Sequence, residues 1–392
     1  MRQKIENYLA TKEADVAARV DEELILGYCM AWRTIRVIVA TFDLAIMRPV
    51  VYEASSFLAV DESGQSRQME TLMICSNMKI QGLFLAGDRE QIQPYRSPDM
   101  TKCPHYNAES ACRFLMQSAP WATVELNESF RFHPILAKLI SQAGYNGSFT
   151  TRILPLQRSV LTGCQYFPLP RQAYPVGLIH QVGRTEHLAT KSSRNLEQCD
   201  MAIALTASLA RTVNQIASVA ICCYYAGDAI HIAETMQQMW GTEMVNEHGV
   251  LTSNPQAITA LGGLEVRTVH GYIGQEAEVA IIVTGASKTE SEWVFQRKPG
   301  NVAISRGRQG LFIIGNMDHL ANQQANTIGN FVRAVAEECP AVDGKVYRTM
   351  LEEAARPNVV FYRAHYVKNK PLAQPDAMIA RCELNRANGW HQ

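Results

Sequence analysis

The sequence has no Cys-x-x-Cys pair, no low-complexity tract, no internal repeat and no excess of either charge. Each absence excludes something. Its ten cysteines are scattered, so they read as reduced thiols of an intracellular protein, cytoplasmic or nuclear, and not as a disulfide framework. Cys103, His105 and Cys112 have ligand-like spacing, but no second Cys/His pair completes a four-ligand metal set. Lysines and arginines number 37, as do aspartates and glutamates. This balance excludes a chain that holds polyanions over its whole surface, though a local basic groove remains compatible with it. Met1 to Val20 is charged and lacks the apolar core of a signal peptide. The stretch from Leu24 to Trp32 is too short to cross a bilayer, so no membrane partner is expected.

What is present suits a globular α/β protein. At 392 residues, 47% of them apolar, the chain is long enough for two domains, each with its own core. Apolar residues at helical spacing predict a helix over 1–30. Short apolar runs follow at Val37–Ala40, Phe57–Val60, Leu83–Ala86, Val219–Cys223, Val279–Val283 and Leu311–Ile314. Runs of this length, separated by helical stretches, predict buried strands of parallel sheets. Residues 195–215 read as helix. Residues 151–190, rich in proline and glycine, read as irregular connection, and the polar end of the chain as a partly ordered tail.

Several polar groups stand where such sheets place their functional loops, at the carboxyl ends of strands. Asp61-Glu62 follows one apolar run. The first acid can hold Mg²⁺ and the second can orient or deprotonate an attacking water; alone, the pair reads equally as two solvated acids. Gly87-Asp88-Arg89-Glu90-Gln91 follows the next run, and the Gln91 amide can both donate to a phosphate oxygen and accept from water. Arg131 precedes a helix and can offer its guanidinium fork to a terminal phosphate. Gly271 and Gly274 allow backbone amides to approach a phosphate closely, and Glu276 can accept from a ribose. His270 is either a nucleic-acid contact or an ordinary loop histidine. Arg306, at the end of Asn301-Val302-Ala303-Ile304-Ser305-Arg306, is placed to stabilise the charge that develops on a transferring phosphoryl group from a second domain.

In this order the motifs resemble those of the superfamily 1 helicases, and most nearly the branch containing the nonsense-mediated-decay RNA helicase and related 5′-to-3′ helicases. Val37 to Thr41 is similar to motif Ib. Asp61 to Gln65 resembles motif II, Gly87 to Pro94 motif III, and Leu126 to Pro134 motif IV. Val266 to Val283 is similar to motif V, and Asn301 to Asn316 to motif VI. The resemblance implies a RecA-like P-loop NTPase fold in four parts. A helical segment spans 1–36, an incomplete first RecA-like domain 37–125, a complete second RecA-like domain 126–345, and a tail 346–392. It implies ATP and Mg²⁺ as cofactors and single-stranded nucleic acid, RNA or DNA, as partner, with Thr41, Thr268 and His270 on the strand. Asp61 takes the metal-binding role, Gly274 and Glu276 the nucleotide, and Glu62, Gln91, Arg131 and Arg306 the catalytic roles.

The sequence departs from the family in one large respect. No G-x-x-x-x-G-K-[ST] loop, the usual cradle of the phosphates, occurs in these residues. Gly344-Lys345 is the one Gly-Lys pair, and it lies beyond motif VI. The expectation is therefore either a segment of a longer helicase or a degenerate helicase that binds nucleic acid or protein without hydrolysis. Smaller departures are Ile273 for a glutamine in motif V, Phe130 for a tyrosine, Ser305 for a threonine, and Gly227-Asp228 where the family places a glutamine.

Overall fold

The computed structural model describes residues 37–47, 55–94, 109–213, 216–240, 263–285, 287, 292–322, 326–354, 359–363 and 379–383. The helix expected over 1–30, like Cys103 and His105, lies outside them. The chain divides into two compact units, one of residues up to Arg89 with Gln93–Thr123, the other of Glu90–Ile92 with Val124 onward.

The first unit is built on two parallel strands, β1 (Phe57–Val60) and β2 (Gly82–Leu85), paired from Phe57↔Gly82 to Val60↔Leu85. The helix Gln68–Ser76 connects them, as a parallel crossover requires. Its first turn is closed by the Arg67 backbone N–H donating to Glu70 at 2.9 Å. A second helix, Ala111–Ser118, starts at Ser110, whose hydroxyl accepts from the Arg113 backbone N–H at 3.2 Å. Val37–Ala40 is not the strand its apolar run predicts. It is irregular, with Val37 and Val39 exposed, because β-propensity expresses packing against neighbours and no described strand pairs with it. A short helix, Phe42–Met47, follows directly.

The second unit carries the main sheet. A two-residue parallel pair, β3 (Glu128–Ser129) and β4 (Thr150–Thr151), flanks the helix Pro134–Gly144. Then come β5 (Val176–His180), the hairpin β6 (Thr185–His187) and β7 (Ser193–Asn195), the helix Leu196–Thr212, β8 (Val219–Cys223) and the helix Ala226–Trp240. β9 (Leu264–Thr268), β10 (Ala277–Val283), β11 (Gly307–Gly315) and β12 (Val342–Asp343) complete it. Six strands form one all-parallel sheet in the order β12-β5-β11-β10-β8-β9.

Strand side chains alternate between faces, and here both faces are buried. Val279, Ile281 and Val283 of β10, Phe312 and Ile314 of β11, and Val219 and Ile221 of β8 enter one core. It is covered by the helices Leu196–Thr212, Ala226–Trp240 and Gly344–Ala354. Ala280 and Ile282, Leu311 and Ile313, and Ala220 and Cys222 enter the opposite core, under Pro134–Gly144, Arg297–Ile304 and Thr327–Glu338. Burial on both faces explains why these strands read as continuous apolar runs. The fold is thus an α/β RecA-like one, with a doubly covered parallel sheet.

β5 corrects the expectation of irregular chain over 151–190. Val176, Leu178 and Ile179 are fully buried, and β5 pairs with both β11 and β12. Gly177 disguises it: a side chain there would meet the Phe312 ring at 2.6 Å, so the absence of one is what lets the aromatic lie across the strand. The tail is also more regular than expected. Tyr347, Met350 and Leu351 of the helix Gly344–Ala354 are buried in the core, and Val359–Arg363 pairs antiparallel with Ile379–Glu383.

Candidate nucleotide and nucleic-acid site

In the first unit, Asp61 and Glu62 sit at the carboxyl end of β1. The Glu62 backbone N–H donates to Asp61 Oδ1 at 2.9 Å, which fixes the first carboxylate against the turn. Glu62 has φ 49°, a left-handed conformation that a residue with a Cβ adopts only where its surroundings impose it. What imposes it is the next loop. Ser63 N–H donates to the Ala86 carbonyl at 2.8 Å. A side chain at Gly64 would stand 2.7 Å from the Asp88 carbonyl oxygen, and one at Gly87 would stand 2.6 Å from Gly64 N. The loops after β1 and β2 therefore meet backbone to backbone, which glycine alone permits. Asp61 remains exposed, a carboxylate open to a hard cation. Thr41 is exposed too, and its hydroxyl accepts from Leu44 N–H at 3.4 Å at the start of the short helix.

In the second unit four sequence motifs converge. Gln91 is flanked by two anchored residues. The Glu90 carbonyl accepts from Asn301 Nδ2 at 2.7 Å, its carboxylate pairs with Arg297 at 3.1 Å, and Ile92 enters the core. Asn301 is fully buried, donates also to the Gly144 carbonyl at 3.3 Å, and accepts from the Thr327 hydroxyl at 2.6 Å. The residues after Arg131 are tied to β11 by His133 N–H donating to the Arg308 carbonyl at 2.8 Å. His133 then turns the chain into its helix, accepting at Nδ1 from Ile135 N–H at 3.2 Å, and burial lowers its pKa.

Arg131 forms an ion pair with Glu276. The other oxygen of Glu276 accepts from Arg308 at 3.1 Å, and Arg308 pairs on its far side with Glu278. Gln309 also donates to Glu278. The side chains of Arg131, Glu276 and Arg308 retain 35%, 33% and 29% of their exposure, so the cluster is a surface feature that a solute can reach. Burial works against the charge of Arg308, but the Glu278 and Glu276 carboxylates outweigh it and raise the arginine's pKa. Gly274, just before Glu276, has φ 74°, which glycine adopts without strain.

Arg306 is not the projecting arginine that the sequence suggested. It is only 1% exposed, the largest fully buried side chain among the described residues. Its Nε donates to the Val302 carbonyl at 2.7 Å. Nη1 donates to the Tyr272 and Gln275 carbonyls at 3.1 and 2.8 Å, and Nη2 to the Ser305 hydroxyl at 2.7 Å. All three nitrogens thus hold the turn between β9 and β10 against the helix that leads into β11. The residue that does reach the surface is Arg308, two positions on, which sequence reasoning passed over. The signal available was its period: along a strand, positions 306 and 308 share a face, but 306 lies in the turn after the helix and 308 in the strand.

The strand-contact candidates stand apart from this cluster, at the carboxyl end of β9. Thr268 is half-buried and its hydroxyl accepts from Gly271 N–H at 3.1 Å; His270 is exposed. A buried polar belt, which includes the Asp228 noted as a departure in the sequence, lies at the ends of β5, β8 and β10. Gln198 donates to the Gln181 and Val182 carbonyls at 3.0 and 3.2 Å and accepts from Gly285 N–H at 2.9 Å. Asp228 Oδ1 accepts from Asn195 N–H at 2.7 Å, while Oδ2 has no partner among the described residues. Burial pushes the Asp228 carboxyl up to about 7, with the Asn195 and Cys199 hydrogen bonds opposing it.

Residues 108–318, more than half of the chain, match the family described as AAA domain. The chain belongs to this family. Its curated relatives place it in the superfamily 1 helicase branch that the motif order indicates. It is 25% identical over 69% of its length to the ATP-dependent helicase NAM7 of Saccharomyces cerevisiae, covering 26% of that protein. It is 25% identical over 66% of its length to a regulator of nonsense transcripts 1 homolog of Neurospora crassa, covering 22%. An uncharacterised ATP-dependent helicase of Caenorhabditis elegans is 20% identical over 71% of this helicase-like chain, which covers 17% of that protein. The chain therefore spans about a quarter or less of these relatives. Among solved structures, an arterivirus nonstructural protein 10 helicase aligns with 70% of this chain and 42% of its own, at 11% identity and a TM-score of 0.31.

Proposed function

We propose that this chain is the motor portion of an ATP-dependent superfamily 1 helicase that moves along single-stranded nucleic acid. The convergence of residues from motifs IV, V and VI in one solvent-reachable cluster, Arg131–Glu276–Arg308, carries this reading. Two guanidinium groups on one carboxylate suit a phosphate, whose oxygens accept from both forks at once. The buried Nε of Arg308 has no acceptor among the described residues. These observations fit the terminal phosphates of ATP, and the exposed Asp61 fits Mg²⁺.

Bound Mg-ATP supplies a transferable phosphoryl group and a cation that neutralises its charge. In this reading Arg131 holds the terminal phosphate, Asp61 the metal, and Glu62 orients the attacking water. Gln91 senses the phosphate from its anchored turn, and the Gly274 backbone and Glu276 carboxylate serve the nucleotide. Arg306 positions the turn that carries Glu276 and does not itself reach out. Thr41, Thr268 and His270 lie on the strand.

Nucleic-acid-stimulated ATP hydrolysis by the chain tests the proposal. Glu62→Gln and Arg131→Ala are each expected to lower kcat by about 100-fold or more, the scale for a water-orienting group or a phosphate arginine. Strand binding that is retained, and weakens steeply with salt as counterions are released, without any hydrolysis would replace the motor by the binding-module reading.

A further inference from the structure

We propose that Glu276 is an internal competitor for a two-arginine phosphate site, in which Arg308 is an equal partner of Arg131. The inference rests on the phosphate-handling role just proposed for Arg131 and extends it to a residue outside the sequence motifs' expected set. Glu276 spans the two guanidinium groups, one carboxylate oxygen to Arg131 and the other to Arg308. This is the bidentate place that a phosphate group takes on such a pair.

The charge balance supports the competition. Arg131 and Arg308 face Glu276 and Glu278, so the cluster is neutral while Glu276 is seated. If Glu276 withdraws, one positive charge remains uncovered, and a phosphate dianion meets both guanidinium groups. Glu278 does not need to move. It is 10% exposed in its side chain and also held by Gln309, so it keeps Arg308 aimed while Glu276 exchanges. Glu276 has the means to exchange. It is a third exposed, and only its side chain has to turn, because the backbone on either side of it stays bonded to Arg306. The shared ligand chemistry is a phosphate oxyanion, from a nucleotide's terminal phosphate or a nucleic-acid backbone.

The test is isothermal titration of the full chain with inorganic pyrophosphate and, separately, with a short oligothymidylate. Glu276→Gln is nearly isosteric and removes the competing charge, so it is expected to tighten pyrophosphate binding about 10-fold. Arg308→Ala is expected to weaken it about as much as Arg131→Ala does. Arg308→Lys, which keeps the charge and loses the fork, should fall between, and guards against a folding defect in the alanine variant. If Glu276→Gln tightens the oligonucleotide and leaves pyrophosphate unchanged, the site stands with a backbone phosphate as its ligand. If Arg131→Ala weakens binding but Glu276→Gln and Arg308→Ala do nothing, the competitor role is overturned and the phosphate role of Arg131 survives. If none of the three changes binding, both fall.

Discussion

Asp228 shows how one substitution can alter a buried site. Where the helicase resemblance implies a glutamine, this chain has a carboxyl that is fully buried, with one oxygen bonded to Asn195 and the other without a partner among the described residues. An ionised oxygen without a partner is costly inside a protein, and burial accordingly raises its pKa to about 7. The unfolded chain ionises near the ordinary aspartate value, roughly 3.9. Between that pH and about 7 the unfolded state has released its proton while the folded state retains it, so stability falls as pH rises through this window. It is level below the window, where both are protonated, and above it, where both are charged. Asp228→Asn removes the ionisation altogether. Denaturant unfolding should show the variant more stable than the parent at pH 8, by about 1–3 kcal/mol, and the gap should narrow towards pH 4.

Arg306 belongs to the scale of elements, because its donors join three of them: the helix Arg297–Ile304, the turn after β9, and the start of β11. Removing it strands four acceptors inside the unit. Arg306→Ala is expected to cost about 3–5 kcal/mol, the scale for breaking a buried charged network, measured as a lowered denaturation midpoint in the ligand-free chain. A loss of hydrolysis with no loss of stability would instead make it a group that acts on substrate directly. The same elements show what the sequence makes legible. β8 matches its apolar run Val219–Cys223 to the residue, and β10 and β11 contain theirs, because strands buried on both faces need unbroken apolar residues. β5 is hidden because Gly177 and the prolines around it are the usual marks of a loop, and the reason for Gly177, the Phe312 ring, lies far along the chain. Val37–Ala40 misleads in the opposite way, since three β-formers and an alanine make no strand where no described strand lies beside them. At the site, motif order singled out Arg131 and Glu276 separately, and the structure pairs them. Motif order could not rank Arg306 against Arg308, because which arginine faces inward depends on where the helix ends.

At the scale of the whole molecule, the sheet order decides which parts depend on which. β8, β9 and β10 are neighbours from one stretch of chain, but β5 lies between β11 and β12 and touches no strand of the main sheet that precedes Gly307. A chain ending before β11 should therefore leave Val176–Ile179 without either partner. Limited proteolysis of such a truncation is expected to cut within 160–185 quickly, while the full chain resists there; equal resistance would show that β5 is held without its sheet.

The position of β5 also has a consequence on the ribosome. β5 emerges more than a hundred residues before β11, a delay of roughly 10 s at ordinary elongation rates of ~5–20 residues per second. Throughout that time Val176, Leu178 and Ile179, fully buried at the end, have neither of their strand partners. The nascent chain thus carries an apolar segment with both strand edges bare, the condition under which chains pair with one another. Its safe production depends on whatever shields that segment until β11 and β12 have been made.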